Sequence, residues 1–196
     1  MKKDFPKLMV DSTENDGHAE PIMDYIISWC LRWAMQDYAN TKSILYNYCK
    51  RMLCILLKEN NVDTISFTDV KTWKQYYKID LWVEAILLKN NIEEKHAILI
   101  ENKYYTPLHL TKDDDGQYKN QLEVYRKKFD KYYKEQSKDW ETHYALITCI
   151  DRNDEKFSQY EEAYNYGYEI YSFYELLDGH SEETESDIFN EFWLKW

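Results

Sequence analysis

KIDLWVEAILLKNNIEEKHAILIENK, residues 78–103, holds two runs of bulky apolar residues separated by a polar break. Such runs form strands, and Asn90-Asn91 at the break tolerates the left-handed backbone of a tight turn. The stretch therefore predicts a β-hairpin. With a two-residue turn Lys89 pairs with Ile92, and counting outward brings Asp80 opposite Glu101. Lys103, two residues on, projects from the same side as Glu101, with Leu99 and Ala97 further back on that side. A four-residue loop preserves this parity, whereas an odd-length loop sends Asp80 to the other face.

Outward from the hairpin, residues 1–17 read as a flexible N-terminal arm ending at Asp16-Gly17, and residues 18–196 as a single domain. Pro21 suits a first helical turn, and Ile22, Ile26, Ile27, Trp29, Cys30 and Trp33 form an apolar stripe after it. A second helix is expected from about Thr41 to Glu59, with Ile44, Leu45, Tyr48, Met52, Leu53, Ile55 and Leu56 inward. Residues 105–116 read as a loop closing in Asp113-Asp114-Asp115-Gly116. Helical character resumes from about Gln117 to Ser137. YALITCI (144–150) and YEIYSF (168–173) read as strands, and a final amphipathic helix is expected from about Glu183 to Trp196. The order predicts an α/β fold, a central mixed β-sheet flanked by helices. Only 4 Gly and 3 Pro argue against an all-β protein full of tight turns.

The formal net charge of -11 excludes a general nucleic-acid coat protein. The charge is uneven, however. Between Lys119 and Lys138 seven basic residues face three acids, whereas from Asp154 to Trp196 twelve acids face two lysines. No apolar run approaches the roughly 20 residues of a membrane-crossing helix, and the N-terminus turns acidic too soon for a signal peptide. Dispersed Cys30, Cys49, Cys54 and Cys149 fit buried reduced thiols and a cytoplasmic protein, not a zinc site. His18, His96, His109, His143 and His180 form no local ligand cluster. No phosphate-binding glycine loop or nucleophile elbow is present.

Two carboxylates and an ammonium on one patch have a chemical use. Mg²⁺ prefers oxygen ligands and keeps several waters, so Asp80, Glu101 and the main-chain carbonyl of Asn102 suffice to hold it. The ion activates water toward a phosphodiester, and Lys103 orients that water or stabilises the developing charge. The structural alternative is a plain Glu101–Lys103 salt bridge. Gln117, Gln121 and Tyr125, spaced four apart, would share one helix face and carry amide and phenol groups to the patch. Their alternative is a solvated face. Likewise, Asp113–Gly116 reads as a solvated turn, because the rest of a calcium loop is missing.

These residues resemble the PD-(D/E)xK nuclease superfamily, in the branch that reads roughly "IDL … IENK … QxxxQLxxY". Here the matching residues are Ile79-Asp80-Leu81, Ile98-Leu-Ile-Glu101-Asn-Lys103 and Gln117 to Tyr125. Ile79 replaces the motif's proline, and Ser172 to Glu175 resembles the serine-aromatic strand end of the branch. The resemblance implies a restriction-endonuclease-like core and Mg²⁺ or Mn²⁺ held by Asp80 and Glu101. It also implies assistance from Lys103, with Gln121 and Tyr125 completing the site. An acid on the first long helix would join the metal ligands, Glu20 in preference to Asp24.

Two function classes follow. One is a metal-dependent deoxyribonuclease, with DNA phosphates held by Gln117, Arg126, Lys127 and Lys131. The other is a catalytically inactive nuclease-fold module that binds nucleic acid or protein. Either is compatible with a homodimer or a partner protein.

Overall fold

The computed structural model describes residues 19–136 and 139–195; the expected arm at 1–17 lies outside the described residues. Helices α1 (Ala19–Trp33) and α2 (Ser43–Leu56) precede a five-stranded sheet. Its strands are β1 (Ile65–Tyr76), β2 (Ile79–Lys89), β3 (Ile92–Lys103), β6 (Trp140–Thr148) and β7 (Glu169–Ser172), side by side in that order. The first three form an antiparallel meander, and β3, β6 and β7 run parallel. The sheet is therefore mixed, as expected.

The hairpin register is the one counted from the two asparagines. Asn90 and Asn91 take φ of 53° and 64°, and Lys89 pairs with Ile92. Positive φ at both central residues is the signature of a turn whose twist matches its strands. The pairing runs unbroken to Leu81↔Ile100, so the next step sets Asp80 across from Glu101.

Strand β3 is buried on both faces from His96 to Lys103 because helices cover each side. One face carries Leu81, Val83, Ile98, Ile100, Ala145 and Ile147 against α1, α2 and the C-terminal segment. The other carries Trp82, Ala97, Leu99 and Leu146 against α3 (Gln121–Gln136) and a 3-10 segment, Glu155–Tyr166. On that second face Trp82 Nε1 donates to the Tyr133 hydroxyl at 2.7 Å, which donates to Glu84 at 2.8 Å. The aromatic-rich composition thus closes a core in which the polar tips find partners.

Several elements differ from expectation. Strand β1 was not anticipated, because its exposed Thr68, Lys71 and Trp73 dilute the apolar signal of an edge strand. The loop at 105–116 contains β4 (Leu110–Lys112), which pairs with β5 (Tyr118–Asn120). Asp113 ties the intervening turn, accepting the N–H groups of Asp115 and Gln117 at 3.0 and 2.9 Å and pairing with Lys119. Ser172 ends β7 and caps the short α4 (Phe173–Leu177) in a capping box with Glu175. The expected terminal helix reduces to α5 (Asp187–Phe189) and one π turn (Asn190–Leu194). Thr184 and Asn190 exchange hydrogen bonds that fold the chain before it.

Helix α2 lacks a side-chain cap of its own. Glu185, from the far end of the chain, instead accepts the Ile44 and Leu45 N–H groups at 3.1 and 3.0 Å. This places a carboxylate on the positive helix end. Glu185→Ala is expected to lower unfolding free energy by about 1 kcal/mol in denaturant titrations.

Candidate functional site at the end of the central strands

Strand alternation delivers Glu101 and Lys103 to the α3 face of the sheet, and hairpin parity brings Asp80 beside them. The Asp80 carboxylate rests against the peptide that follows Glu101, accepting the Asn102 N–H at 2.9 Å. Lys103 Nζ lies 2.9 Å from Glu101 Oε1, with both side chains almost fully buried. Gln121, the first residue of α3, donates its amide to that same oxygen. Its position is fixed by its main-chain N–H, which donates to the His109 carbonyl at 3.0 Å. Glu101 Oε2 is left buried with no hydrogen-bond partner.

The acids lie close enough to repel one another. Burial, then the Asp80 charge, pushes the Glu101 carboxyl well above the ordinary range, although Lys103 opposes this. Asp80 is also raised by burial, against stabilising contacts from Asn102, Lys103 and Gln75. Burial disfavours the Lys103 ammonium, but the Glu101 carboxylate outweighs it and the net shift is upward. Tyr125, buried on α3, is raised to about 12 by burial and by the Glu101 and Asp80 charges. It is a neutral phenol beside the acids.

Helix α1 contributes two acids. Asp24 is buried, accepts from Asn102 Nδ2 at 2.7 Å, and is raised to about 7 by burial and the nearby Asp80. Glu20 accepts the Tyr104 N–H at 3.2 Å and the Thr106 hydroxyl, and so ties α1 to the loop after β3. Burial and the neighbouring Asp80 charge thus bring the ionisation of Asp24 close to neutrality. No three of these four acids bring ligand atoms within 4.8 Å of one another among the described residues. Side chains alone therefore do not form a closed cage here.

Gln75 was missed by sequence reasoning. It falls opposite Asp80, between the pairs Lys74↔Leu81 and Tyr76↔Ile79, and its Nε2 reaches Asp80 at 3.0 Å and Asp24 at 3.4 Å. Its φ is 55°, a left-handed conformation uncommon for this residue type. No signal in one sequence marks such a position.

The expected binding residues divide. Gln117 is corrected: it precedes β5 and is exposed, so it does not share the helix face of Gln121 and Tyr125. The pairing of β4 with β5 overrides the helical spacing. Arg126 is half-buried, lies 4.3 Å over the Tyr144 ring and donates to the Tyr166 carbonyl. A Cβ on Gly167, at φ 76°, would meet that guanidinium at 2.0 Å, so glycine is required there. Lys127 pairs with Glu123, and Lys131 is exposed beside a cleft that also involves Asp113, Asp114 and Lys128. His96 and His143, far apart in sequence, touch in the fold.

Fold and site together define an α/β domain with a mixed five-stranded sheet and a buried carboxylate–lysine cluster at one end of it. No protein-family model, curated protein or solved structure matches this chain. No described helix is long and apolar enough to cross a membrane.

Proposed function

We propose that the protein is a divalent-metal-dependent nuclease with a PD-(D/E)xK-type site on a restriction-endonuclease-like core, acting on DNA. The observation that carries this reading is the pattern of unpaired atoms. Four buried polar side-chain atoms lack a partner among the described residues, and three are at this end of the sheet: Glu101 Oε2, Asn102 Oδ1 and Gln121 Oε1. All three are acceptors. Buried acceptors without donors are costly, and a cation is what satisfies a surplus of them.

The donor set is all oxygen, which suits Mg²⁺ or Mn²⁺. Asp80, Glu101 and the Asn102 carbonyl would hold the ion, with water completing its shell. The ion would lower the pKa of water and neutralise charge developing on a phosphodiester. Lys103 and Gln121 both hold Glu101 through Oε1, which fixes the carboxylate and directs Oε2 away from them. Lys103, kept charged, supplies a fixed positive group toward the reacting phosphate. Tyr125 and Gln121 line the α3 side of the patch, and Lys127 and Lys131 offer exposed positive charge further along the helix.

The test is cleavage of plasmid and single-stranded DNA by the purified protein, with Mg²⁺ or Mn²⁺ against a chelated control. Ion-dependent cleavage that Asp80→Ala removes is the expected result. No cleavage, together with no ion-induced shift in melting temperature, would assign the fold to a non-catalytic binding module instead.

A further inference from the structure

The fourth unpartnered atom, His96 Nε2, lies at the opposite end of β3. The parallel register of β3 and β6 sets His96 across from Glu141 and Ile98 across from His143. By strand alternation these three polar side chains share the face that α2 covers. His96 Nδ1 is 3.0 Å from His143 Nε2, and the Glu141 oxygens are 3.9 Å from the first and 3.8 Å from the second. We propose that His96, His143 and Glu141 form a second, separate metal site for a zinc-class divalent ion.

Two observations carry it. First, one ligand atom from each residue lies within 4.8 Å of the other two, and small side-chain rotations would bring them to the roughly 3.3 Å that separates tetrahedral zinc ligands. Two imidazoles and one carboxylate also suit zinc over magnesium. Second, His96 presents its other nitrogen to Glu94, with Nε2 to Oε2 at 3.5 Å. The two are not hydrogen-bonded at that separation, but a small turn of the Glu94 carboxylate would hold the far N–H and leave the near nitrogen as ligand. His143 carries its proton on Nδ1 when Nε2 binds the ion.

The site is reachable. A cavity of about 440 Å³ is lined by Glu141 and His143 together with Leu56, Lys58, Glu59 and Glu169. Lys58 and Glu169 are paired at 2.6 Å, and Glu59 with Lys89 at 2.7 Å, so the neighbouring charges are already matched. Three protein ligands leave one tetrahedral position for water or an anion. The bound ion would pin the start of β6 to β3.

Calorimetric titration of the purified full chain with Zn²⁺, and visible absorption with Co²⁺, tests this. One ion should bind, raise the melting temperature, and give the intense spectrum of tetrahedral cobalt. Glu141→Gln, at an exposed position, should weaken binding at least about tenfold. His143→Ala should abolish the cobalt spectrum, and Glu101→Gln should leave it unchanged. Absence of saturable binding by either ion overturns the proposal. So does binding that survives both variants at this site, or binding that Glu101→Gln removes. Failure here leaves the carboxylate site untouched, since that site is read with Mg²⁺ and DNA.

Discussion

On the proposed nuclease reading, Lys103→Ala and Glu101→Gln are each expected to reduce ion-dependent DNA cleavage by about 10²–10⁴-fold while leaving the chain folded. The lysine supplies a fixed charge in a buried site, where a preorganised ammonium acts far more strongly than in water. The glutamate supplies the unpaired Oε2 on which the proposed cation site rests. The two variants separate in stability. Glu101 sits buried near Asp80 and Glu20, so replacing its charge by an amide relieves desolvation and repulsion that offset the lost pairing with Lys103, and the metal-free melting temperature changes little. Lys103→Ala removes the attraction that offsets those costs, and the melting temperature falls. Activity measured beside thermal denaturation decides the matter. Loss of both quantities in step, in both variants, would reduce the pair to a structural salt bridge.

The metal-free protein is expected to lose stability as pH rises from about 4 to about 7, and Asp24→Asn to remove much of that loss. The sign follows from the direction of the shift. Asp24 is raised from an ordinary 3.8 to about 7 by burial and by Asp80. The folded state therefore holds its proton more tightly than the unfolded chain does. Below about pH 4 both states are protonated and there is no penalty. Above about pH 7 the folded state must carry a buried charge, at a cost of at most about 4 kcal/mol. Glu101 and Asp80, also raised, act in the same sense. Mg²⁺ bound at the proposed site would favour the ionised forms, so its stabilisation should be large above about pH 7 and small near pH 4. Urea titrations across this range, with and without Mg²⁺, check it. A stability that climbs with pH in the metal-free protein would show that these acids are not held together as described.

The chemistry at the end of β3 was legible because it depends on short-range rules. Two asparagines fix a turn, the turn fixes parity, and a two-residue strand period puts Glu101 and Lys103 on one face with Asp80 across from them. Gln121 and Tyr125 were placed by helical spacing four residues apart, and both reach the patch. The same rule failed at Gln117, because the strand pairing of Tyr118–Asn120 ends before the helix begins. Local periodicity has no term for a small sheet formed with Leu110–Lys112.

Other features belong to tertiary structure alone. Gln75 joins Asp80 to Asp24 because an edge strand bends into a left-handed residue beside the hairpin. Whether Glu20 or Asp24 lies nearer the acids depends on how α1 docks, and the Asn102 amide, 78 positions away, meets Asp24. His96 and His143, separated by 47 positions, meet only because β6 pairs with β3 in parallel and in one register. That register is set by packing of the intervening α3 across the sheet, a sum of many weak apolar contacts. No spacing in the chain encodes it. The sequence by itself determined the hairpin, its carboxylate parity and the lysine beside it, since each rests on neighbours a few residues apart. The tertiary structure decided which distant groups surround that trio and brought the second cluster together.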